Sequence, residues 1–416
     1  MTKYKKYKPS GVEWIGDIPE HWKVKKLKYV AQANPSNIDK KSKEDEKEVR
    51  LCNYVDVYKN DFIDSKIDFM RATASDNQIE KFTLNKGDVI ATRDSETSDD
   101  IGNAALVVDE LTNVVCGYHL THIKPIQMNG NYLFRIFQTR YLNSYFEISA
   151  NGVTRFGLGV DKFNVAPILL PCQEEQIQIA NYLDRKTAEI DDLIAKKEQL
   201  IKLLEEEKTA VINEAVTKGI NPNAKLKDSG IEWLGKIPEH WEVKKLKWLI
   251  TIGSGEGIKS EAIKEFGAYP VYGGNGILGY SESFNNSDKV FIIGRVGAKC
   301  GNVRLVSDKK WISDNALLAY AKGNLDFLMF TMQNLNLNNL ANKNAQPLIT
   351  STMVKEQIIA YPSIGEQTQI VNHIQKETTR IDKTIETTKN LIELLKEYRT
   401  ALISEAVTGK IKVFED

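Results

Sequence analysis

The sequence has 416 residues and no net formal charge, with 42% hydrophobic and 27% charged residues. This composition is typical of a soluble globular protein, and the length predicts two to four domains. No apolar run approaches the roughly 20 residues that span a bilayer, and no apolar segment follows the basic N-terminus, so we expect neither a membrane span nor a signal peptide. The four cysteines are scattered without a Cys-x-x-Cys pair, which predicts reduced thiols in a cytoplasmic protein.

The first element along the chain is a motif at residues 10–30, SGVEWIGDIPEHWKVKKLKYV, which returns at residues 229–249 as SGIEWLGKIPEHWEVKKLKWL. Fifteen of the 21 positions are identical, so the chain contains an internal duplication. The tryptophans and the Ile-Pro step predict a segment that packs on its own domain or anchors a partner. The lysines are either solvated or contact phosphate. The candidate partner anchors are Trp14, Trp22, Trp233 and Trp241, and the candidate phosphate ligands are Lys25, Lys26, Lys28, Lys244, Lys245 and Lys247.

A variable block follows each copy of the motif, at residues 31–170 and 250–361. Both blocks contain short strand-like runs bounded by polar turns, and a helical stretch follows these runs. The blocks share this order of elements but hardly any residues, and the first block is the longer one. The pattern predicts one fold that carries two different surfaces.

A long helix is predicted after each block, because apolar residues alternate by three and four positions, as in the a/d stripe of a coiled coil. Each helix begins after a proline, Pro171 or Pro362, and ends near a glycine, Gly219 or Gly409, as helix termini often do. The narrow apolar stripe favours pairing of the two helices with each other. The alternative is that each helix packs only on its own domain.

Taken together, these patterns predict an α+β chain with a pseudo-twofold internal repeat. Two globular mixed α/β domains are separated by two long helices, which form an intrachain antiparallel coiled coil. The expected segments are a first domain at 1–172, a first long helix at 173–219, a second domain at 220–363, and a second long helix with its tail at 364–416.

No catalytic constellation is evident in the sequence. The segment that begins at Gly253 only loosely imitates a phosphate-binding loop, since its glycine spacing is wrong, and a flexible turn is the better interpretation. There is no Gly-x-Gly-x-x-Gly motif after a strand. His119 and His122 are three residues apart but lack an evident third ligand for zinc. We therefore expect no active site, no metal and no bound cofactor in this chain.

The repeated motif, the Lys-Gly-Asp-Val-Ile segment at 86–90, the FIIGRVGAKCGNV segment at 291–303 and the Pro-x-x-x-Glu-Gln helix openings together resemble specificity subunits of type I restriction-modification enzymes. The resemblance covers essentially the whole chain. It implies two target-recognition domains, each of which reads one half of a split, asymmetric site in double-stranded DNA.

The resemblance also implies the partners. Two methylation subunits would bind S-adenosylmethionine and methylate adenine N6, and further subunits would add ATP- and Mg²⁺-dependent translocation and cleavage. The assembled complex would thus be a methyltransferase and endonuclease, whereas this chain would be non-catalytic. The helices and flanking repeats would hold the partners, with candidate contacts at Glu175, Gln176, Glu366 and Gln367.

Contacts to bases are expected from side chains in glycine-rich or polar loops, since Arg and Lys read guanine, and Asn and Gln read adenine, in the major groove. The candidates are Arg93, Arg155, Lys162, Arg295, Lys299, Lys343 and Gln346. The alternative function is a non-enzymatic coiled-coil adaptor that links two protein-binding modules. It explains the helices and the duplication but not the basic loops of the blocks.

Overall fold

The structure is a computed structural model that describes residues 2–297, 299–341 and 347–414. The chain divides into two compact units, Met1–Lys197 with Asn390–Asp416, and Glu198–Lys389. Both boundaries fall inside long helices, whereas the predicted domain boundaries lie at the helix ends. The difference arises because each half of a long helix packs on the globular part of its own unit.

Unit 1 is a mixed α/β structure, as predicted. Its helices are α1 (Tyr54–Lys59), α2 (Asp76–Phe82), α3 (Gly130–Phe137), α4 (Arg140–Ser149) and α5 (Val160–Val165). Its strands are β1 (Tyr7–Pro9), β2 (Asp17–Pro19), β3 (Lys23–Lys26), β4 (Ala31–Pro35), β5 (Lys47–Cys52), β6 (Phe62–Ile63), β7 (Met70–Ala74), β8 (Val89–Thr92), β9 (Asp94–Ser95), β10 (Ala104–Val107), β11 (Val114–Cys116), β12 (Leu120–Pro125), β13 (Phe156–Gly157) and β14 (Pro167–Leu170).

The core of unit 1 lies between two sheets and the helices around them. One sheet has the strand order β4-β12-β8-β10-β6 and the other has the order β11-β5-β7. Every residue of the central strand β8 is buried, and three of its four residues are apolar. Smaller two-stranded pairs join β1 with β2 and β3 with β14, so the repeated motif is tied to the strand that precedes the first long helix.

Unit 2 contains the second motif and the second block. Its short helices are α7 (Leu325–Asn334) and α8 (Ser351–Lys355). Its strands are β15 (Leu226–Asp228), β16 (Lys236–Pro238), β17 (Glu242–Lys245), β18 (Ile250–Ser254), β19 (Tyr269–Gly273), β20 (Gly276–Ser281), β21 (Val290–Gly294), β22 (Val303–Val306), β23 (Trp311–Ile312), β24 (Ala316–Ala321) and β25 (Ile358–Tyr361).

The two units share one topology. The order β18-β24-β21-β22 in unit 2 repeats β4-β12-β8-β10 of unit 1, and β23-β19-β20 repeats β11-β5-β7. In both small sheets the middle strand is parallel to one neighbour and antiparallel to the other. In the larger sheet, unit 1 adds the edge strand β6. The expectation of one fold in both blocks is therefore confirmed.

Strand register also reveals a short sequence match within the blocks that periodicity alone did not indicate. The segments 101–109 and 300–308 occupy the same turn and strand, and they are identical at five of nine positions. Gly102 and Gly301 have φ values of 80° and 84°, where a residue with a Cβ would be strained. The shared turn therefore explains why both copies keep this glycine.

The long helices are α6 (Gln173–Lys218) and α9 (Ile364–Val407). In unit 1, Ile190 of α6 and Leu402 of α9 belong to the same buried cluster. In unit 2, Leu204 packs with Ile381 and Ile385, while residues nearer the end of α6 share a cluster with residues near the start of α9. The two helices thus run antiparallel in unit 2, and the predicted helix pairing is confirmed.

Candidate nucleic-acid interface

The first candidate site in unit 1 is the loop cluster at the C-terminal end of β8, where Arg93 follows the strand directly. The Arg93 backbone N–H donates to the His119 carbonyl at 3.1 Å, and its carbonyl accepts from the Leu158 N–H at 2.7 Å. Two other loops therefore fix the main chain of Arg93 from both sides. Its guanidinium lies 5.3 Å from the centre of the Tyr118 ring, a cation–π arrangement that holds the charge at the loop surface.

A second group of charges surrounds Asp94. The Asp94 carboxylate accepts from Nη2 of Arg155 at 2.7 Å, and its other oxygen lies 2.5 Å from Nδ1 of His119. The hydrogen bond to Asp94 raises the pKa of Arg155 above its already high ordinary value. The guanidinium of Arg155, a predicted DNA contact, is thus already paired with the Asp94 carboxylate.

The backbone at His119 is strained, with a φ of 70°, a region that non-glycine residues seldom adopt. Such strain often occurs at functional sites, where surrounding contacts maintain it. His119, Asp94 and Arg155 line an open cleft of about 650 Å³ together with Tyr54 and Tyr58, whose rings stack 5.7 Å apart. The cleft offers aromatic faces and charged groups of both signs.

Unit 2 has the equivalent loop cluster at the end of β21, where Arg295 follows the strand. Its N–H donates to the Asn315 carbonyl at 3.1 Å, and its carbonyl accepts from the Ile349 N–H at 2.9 Å. Nη1 of Arg295 donates to Oγ of Ser254 and to the Asp314 carbonyl, at 3.1 and 3.3 Å. Lys299 is exposed in the same loop. The cluster therefore places two of the predicted basic residues close together.

The remaining DNA candidates lie elsewhere or outside the described residues. Lys162 is on α5, where its Nζ is 3.5 Å from Asp161. Lys343 and Gln346 fall in 342–346, outside the residues that the structure describes. The lysines of the repeated motif lie near the start of β4 and β18, opposite the strand end that carries Arg93 or Arg295. The structure therefore does not bring the motif lysines together with the arginine loops.

The motif lysines have different neighbours in the two units. In unit 2, Glu356 accepts from both Lys245 and Lys247, and Lys244 pairs with Glu242. In unit 1, no acidic partner of Lys25, Lys26 or Lys28 is found among the described residues, although Lys28 lies over the Tyr29 ring. The basic surface is accordingly stronger in unit 1.

The four candidate anchor tryptophans divide into two kinds. Trp22 and Trp241 are 0% and 1% exposed, so these side chains build the cores of their units and present no surface to a partner. Trp14 and Trp233 are 51% and 49% exposed. A partner surface on the repeated motif would therefore be formed by the latter pair.

The polar residues at the start of each long helix mostly form hydrogen bonds and ion pairs within their own unit. Glu175 accepts from Nε1 of Trp22 at 3.2 Å and pairs with His21. Gln176 and Gln367 each donate to the carbonyl of the proline before the helix, at 3.0 and 2.9 Å. These contacts explain the repeated Glu-Gln pair through local structure. Glu366 pairs with His240 at 3.0 Å and remains partly accessible.

Sequence reasoning missed two features of this surface. Tyr29 and Trp248 occupy the same position of the repeated motif and are 57% and 73% exposed, which makes them better placed than Trp22 or Trp241 to meet a partner. It also missed that Arg93 and Arg295 are equivalent. The matched segments at 101–109 and 300–308 were the signal that could have aligned the two loops.

The histidines considered for zinc have separate roles. His119 faces Asp94, whereas Nε2 of the buried His122 lies 2.7 Å from Asp88, and burial lowers the pKa of His122. Across the described ranges, the structure contains no cluster of three or more His, Cys, Asp or Glu residues suited to a metal ion. None of the described helices is long and apolar enough to cross a membrane.

Comparison with protein families identifies this pair of domains. The family model of the type I restriction modification DNA specificity domain matches residues 19–203 and 238–397. The chain belongs to this family. It is a type I specificity subunit with two target-recognition domains, and its role is to provide DNA sequence specificity rather than catalysis.

Other specificity subunits resemble the chain over different lengths. A Methanocaldococcus jannaschii protein assigned as the MjaX specificity subunit is 25% identical over 434 residues, covering 96% of each chain. The MjaVIII specificity subunit of the same organism is 27% identical over 285 residues, covering 61% of this chain and 64% of the relative. The EcoprrI specificity subunit of Escherichia coli is 33% identical over 110 residues, covering 26% and 27%.

Solved structures share the fold of this specificity subunit at low sequence identity. A chain from a structural study of complex assembly and conformational transition in a type I restriction-modification system has a TM-score of 0.72 at 16% identity, covering 95% of this chain and 99% of that chain. The HsdS subunit from Thermoanaerobacter tengcongensis has a TM-score of 0.57 at 16% identity, covering 95% and 98%.

Proposed function

We propose that the two units of this specificity subunit read the two halves of a split, asymmetric DNA site. In doing so, they direct adenine methylation or DNA cleavage by partner subunits. The partners are two methylation subunits and the restriction subunits, which act with this chain in the cytoplasm. These partners bind S-adenosylmethionine, ATP and Mg²⁺. The main support is that both units carry the same loop cluster on the same strand end but surround it with different side chains.

The side chains beside the two arginines differ in their hydrogen-bonding groups, as reading two different half-sites requires. Tyr118 and His119 stand beside Arg93, whereas Asp314 and Asn315 stand at the equivalent positions beside Arg295. Asn reads adenine, and Asp accepts from the amino group of cytosine in the major groove. One scaffold with two sets of side chains therefore supports two different half-sites.

The test replaces residues 250–361 with the second block of another specificity subunit and maps methylated adenines in host DNA by single-molecule sequencing. We expect one half-site to change and the other to keep its sequence. The matched control replaces residues 31–170, and it should change the other half-site. A change in both halves after a single replacement would refute modular reading. Failure of the wild-type complex to bind DNA would instead favour a protein adaptor.

A further inference from the structure

Arg93 and Arg295 hold the same place in the shared fold. Thr92 pairs with Leu120 in unit 1, as Gly294 pairs with Ala316 in unit 2. The residue that follows, Arg93 or Arg295, is therefore the first residue beyond the same central strand. The backbone hydrogen bonds on both sides of the two arginines also correspond, with donor–acceptor distances that differ by at most 0.2 Å.

Most other side chains around the two arginines differ between the units. Asp94 corresponds to Val296, because both pair across to the neighbouring loop, with Gly157 and Leu348 respectively. The residues that accept the arginine N–H are His119 and Asn315. Among the loop positions that the structure describes in both units, the arginine is the one charged side chain that both copies share.

Neither arginine has an acidic partner within the described part of the chain. Among the described residues, the Arg93 guanidinium contacts the Tyr118 ring and forms no ion pair. Arg295 donates through Nη1 to two neutral oxygens, so its Nε and Nη2 keep their donors. By contrast, Arg155 is tied to Asp94. Arg93 and Arg295 thus remain uncompensated positive charges in loops that are otherwise different.

We infer that Arg93 and Arg295 make the same contact with a backbone phosphate of the DNA in both half-sites, and that base reading belongs to the neighbouring residues that differ. A phosphate is present in every sequence, whereas an arginine that read guanine in both units would require guanine at the same place in both halves. Phosphate contacts fix the position of a protein on the duplex without carrying sequence information. This inference rests on the proposed function, since it specifies how each recognition domain is anchored.

The experiment uses the full chain assembled with its methylation subunits. Binding to a duplex that carries the mapped target, and to an unrelated duplex, is followed by fluorescence anisotropy over a range of salt concentrations. The variants are Arg93→Ala, Arg295→Ala and the double variant. Arg71→Ala serves as the control, because Arg71 lies on β7 and pairs with Glu48 at 3.4 Å, outside the arginine loops and the long helices.

Each single loop variant should weaken binding by about tenfold on both duplexes, as expected for the loss of a charge-assisted hydrogen bond. The slope of log affinity against log salt should fall by about one for each arginine. The methylated sequence should stay the same, and Arg71→Ala should bind as the wild type does. Arg93→Lys and Arg295→Lys keep a positive charge, so they should retain the salt slope.

Relaxed specificity at one base pair in Arg93→Ala or Arg295→Ala would overturn the inference in favour of base reading. An unchanged affinity and salt slope would overturn it in favour of a local structural role. If an alanine variant has a lowered melting temperature, Arg93→Gln or Arg295→Gln provides the same test, because glutamine is neutral and its side chain is longer than that of alanine. A wild-type complex that binds neither duplex would refute the proposed function itself, and the two failures are therefore distinguishable.

Discussion

The two copies of the repeated motif have nearly the same sequence but different electrostatic surroundings. Register places Val165 of unit 1 where unit 2 has Glu356, and Lys23 where unit 2 has Glu242. Glu356 binds Lys245 at 2.5 Å and Lys247 at 3.3 Å, and these lysines lower the pKa of its carboxyl. In unit 1 the same lysine pattern faces a valine. Residues outside the repeat therefore decide which charges the repeat presents to solvent.

The tryptophan that fills the core of each unit gives a second comparison. Nε1 of Trp22 donates to Glu175, whereas Nε1 of the buried Trp241 has no hydrogen-bond partner among the described residues. The two rings therefore provide the same apolar packing, but within the described ranges the indole N–H is hydrogen-bonded only in Trp22. Substitutions at both positions can separate the two contributions.

The largest expected effect is the loss of either core ring. Trp22→Ala or Trp241→Ala should lower the free energy of unfolding of its unit by about 3–5 kcal/mol, because a large buried side chain leaves a cavity. The exposed Trp14→Ala is the matched control and should change stability by less than about 0.5 kcal/mol. Thermal unfolding and hydrogen exchange of each unit measure the effect. Equal effects at Trp14 and Trp22 would contradict the assignment of Trp22 to the core.

The next effect concerns the ion pair of a buried arginine in unit 1. Arg135 is fully buried and its Nη2 donates to Asp184 at 2.6 Å. Asp184→Ala should destabilise unit 1 by about 3 kcal/mol, the lower end for breaking a buried pair, because water reaches one side of the carboxylate. Asp192→Ala removes the exposed pair with Lys196 and should have little effect. Chemical denaturation compares the two variants, and equal stabilities would show that Gln138 and Thr187, which also accept from Arg135, compensate its charge without Asp184.

A smaller difference is expected when each buried tryptophan becomes phenylalanine. Trp22→Phe removes a hydrogen bond to Glu175, whereas Trp241→Phe removes a buried N–H group that lacks a partner. Trp22→Phe should therefore destabilise its unit by about 1 kcal/mol more than Trp241→Phe destabilises unit 2. The measurement is hydrogen exchange in each unit. The opposite order would mean that Trp241 makes a polar contact.

The smallest predicted effect tests the basic surface. Val165→Glu supplies unit 1 with the carboxylate that unit 2 already has, and Glu356→Val removes it from unit 2. If the motif lysines contact phosphate, the first variant should weaken DNA binding of the assembled complex by about twofold, and the second should strengthen it by a similar factor. Anisotropy at low and high salt measures both. Unchanged DNA binding in both variants would remove these lysines from the DNA interface.

Much of the architecture could be predicted from the sequence, because the responsible signals are local. The a/d spacing predicts the long helices, and the repeated motif predicts the duplication. The match between segments 101–109 and 300–308 brings Arg93 and Arg295 close to alignment, but the loops before these segments differ in length. Strand pairing was therefore needed to establish that the two arginines are equivalent. The burial of Trp22 depends in the same way on packing against the first long helix. The effect of Glu356 on Lys245 required the contact between β17 and β25.

The central claim is that the two blocks are copies of one recognition domain, each with its own half-site. The most direct test replaces residues 31–170 with a second copy of residues 250–361, since these ranges begin and end at equivalent positions in the strand registers. Methylation mapping should then show the second half-site sequence in both halves of the target, with the original first half-site absent. Retention of the original first half-site by the folded, assembled variant would contradict the claim.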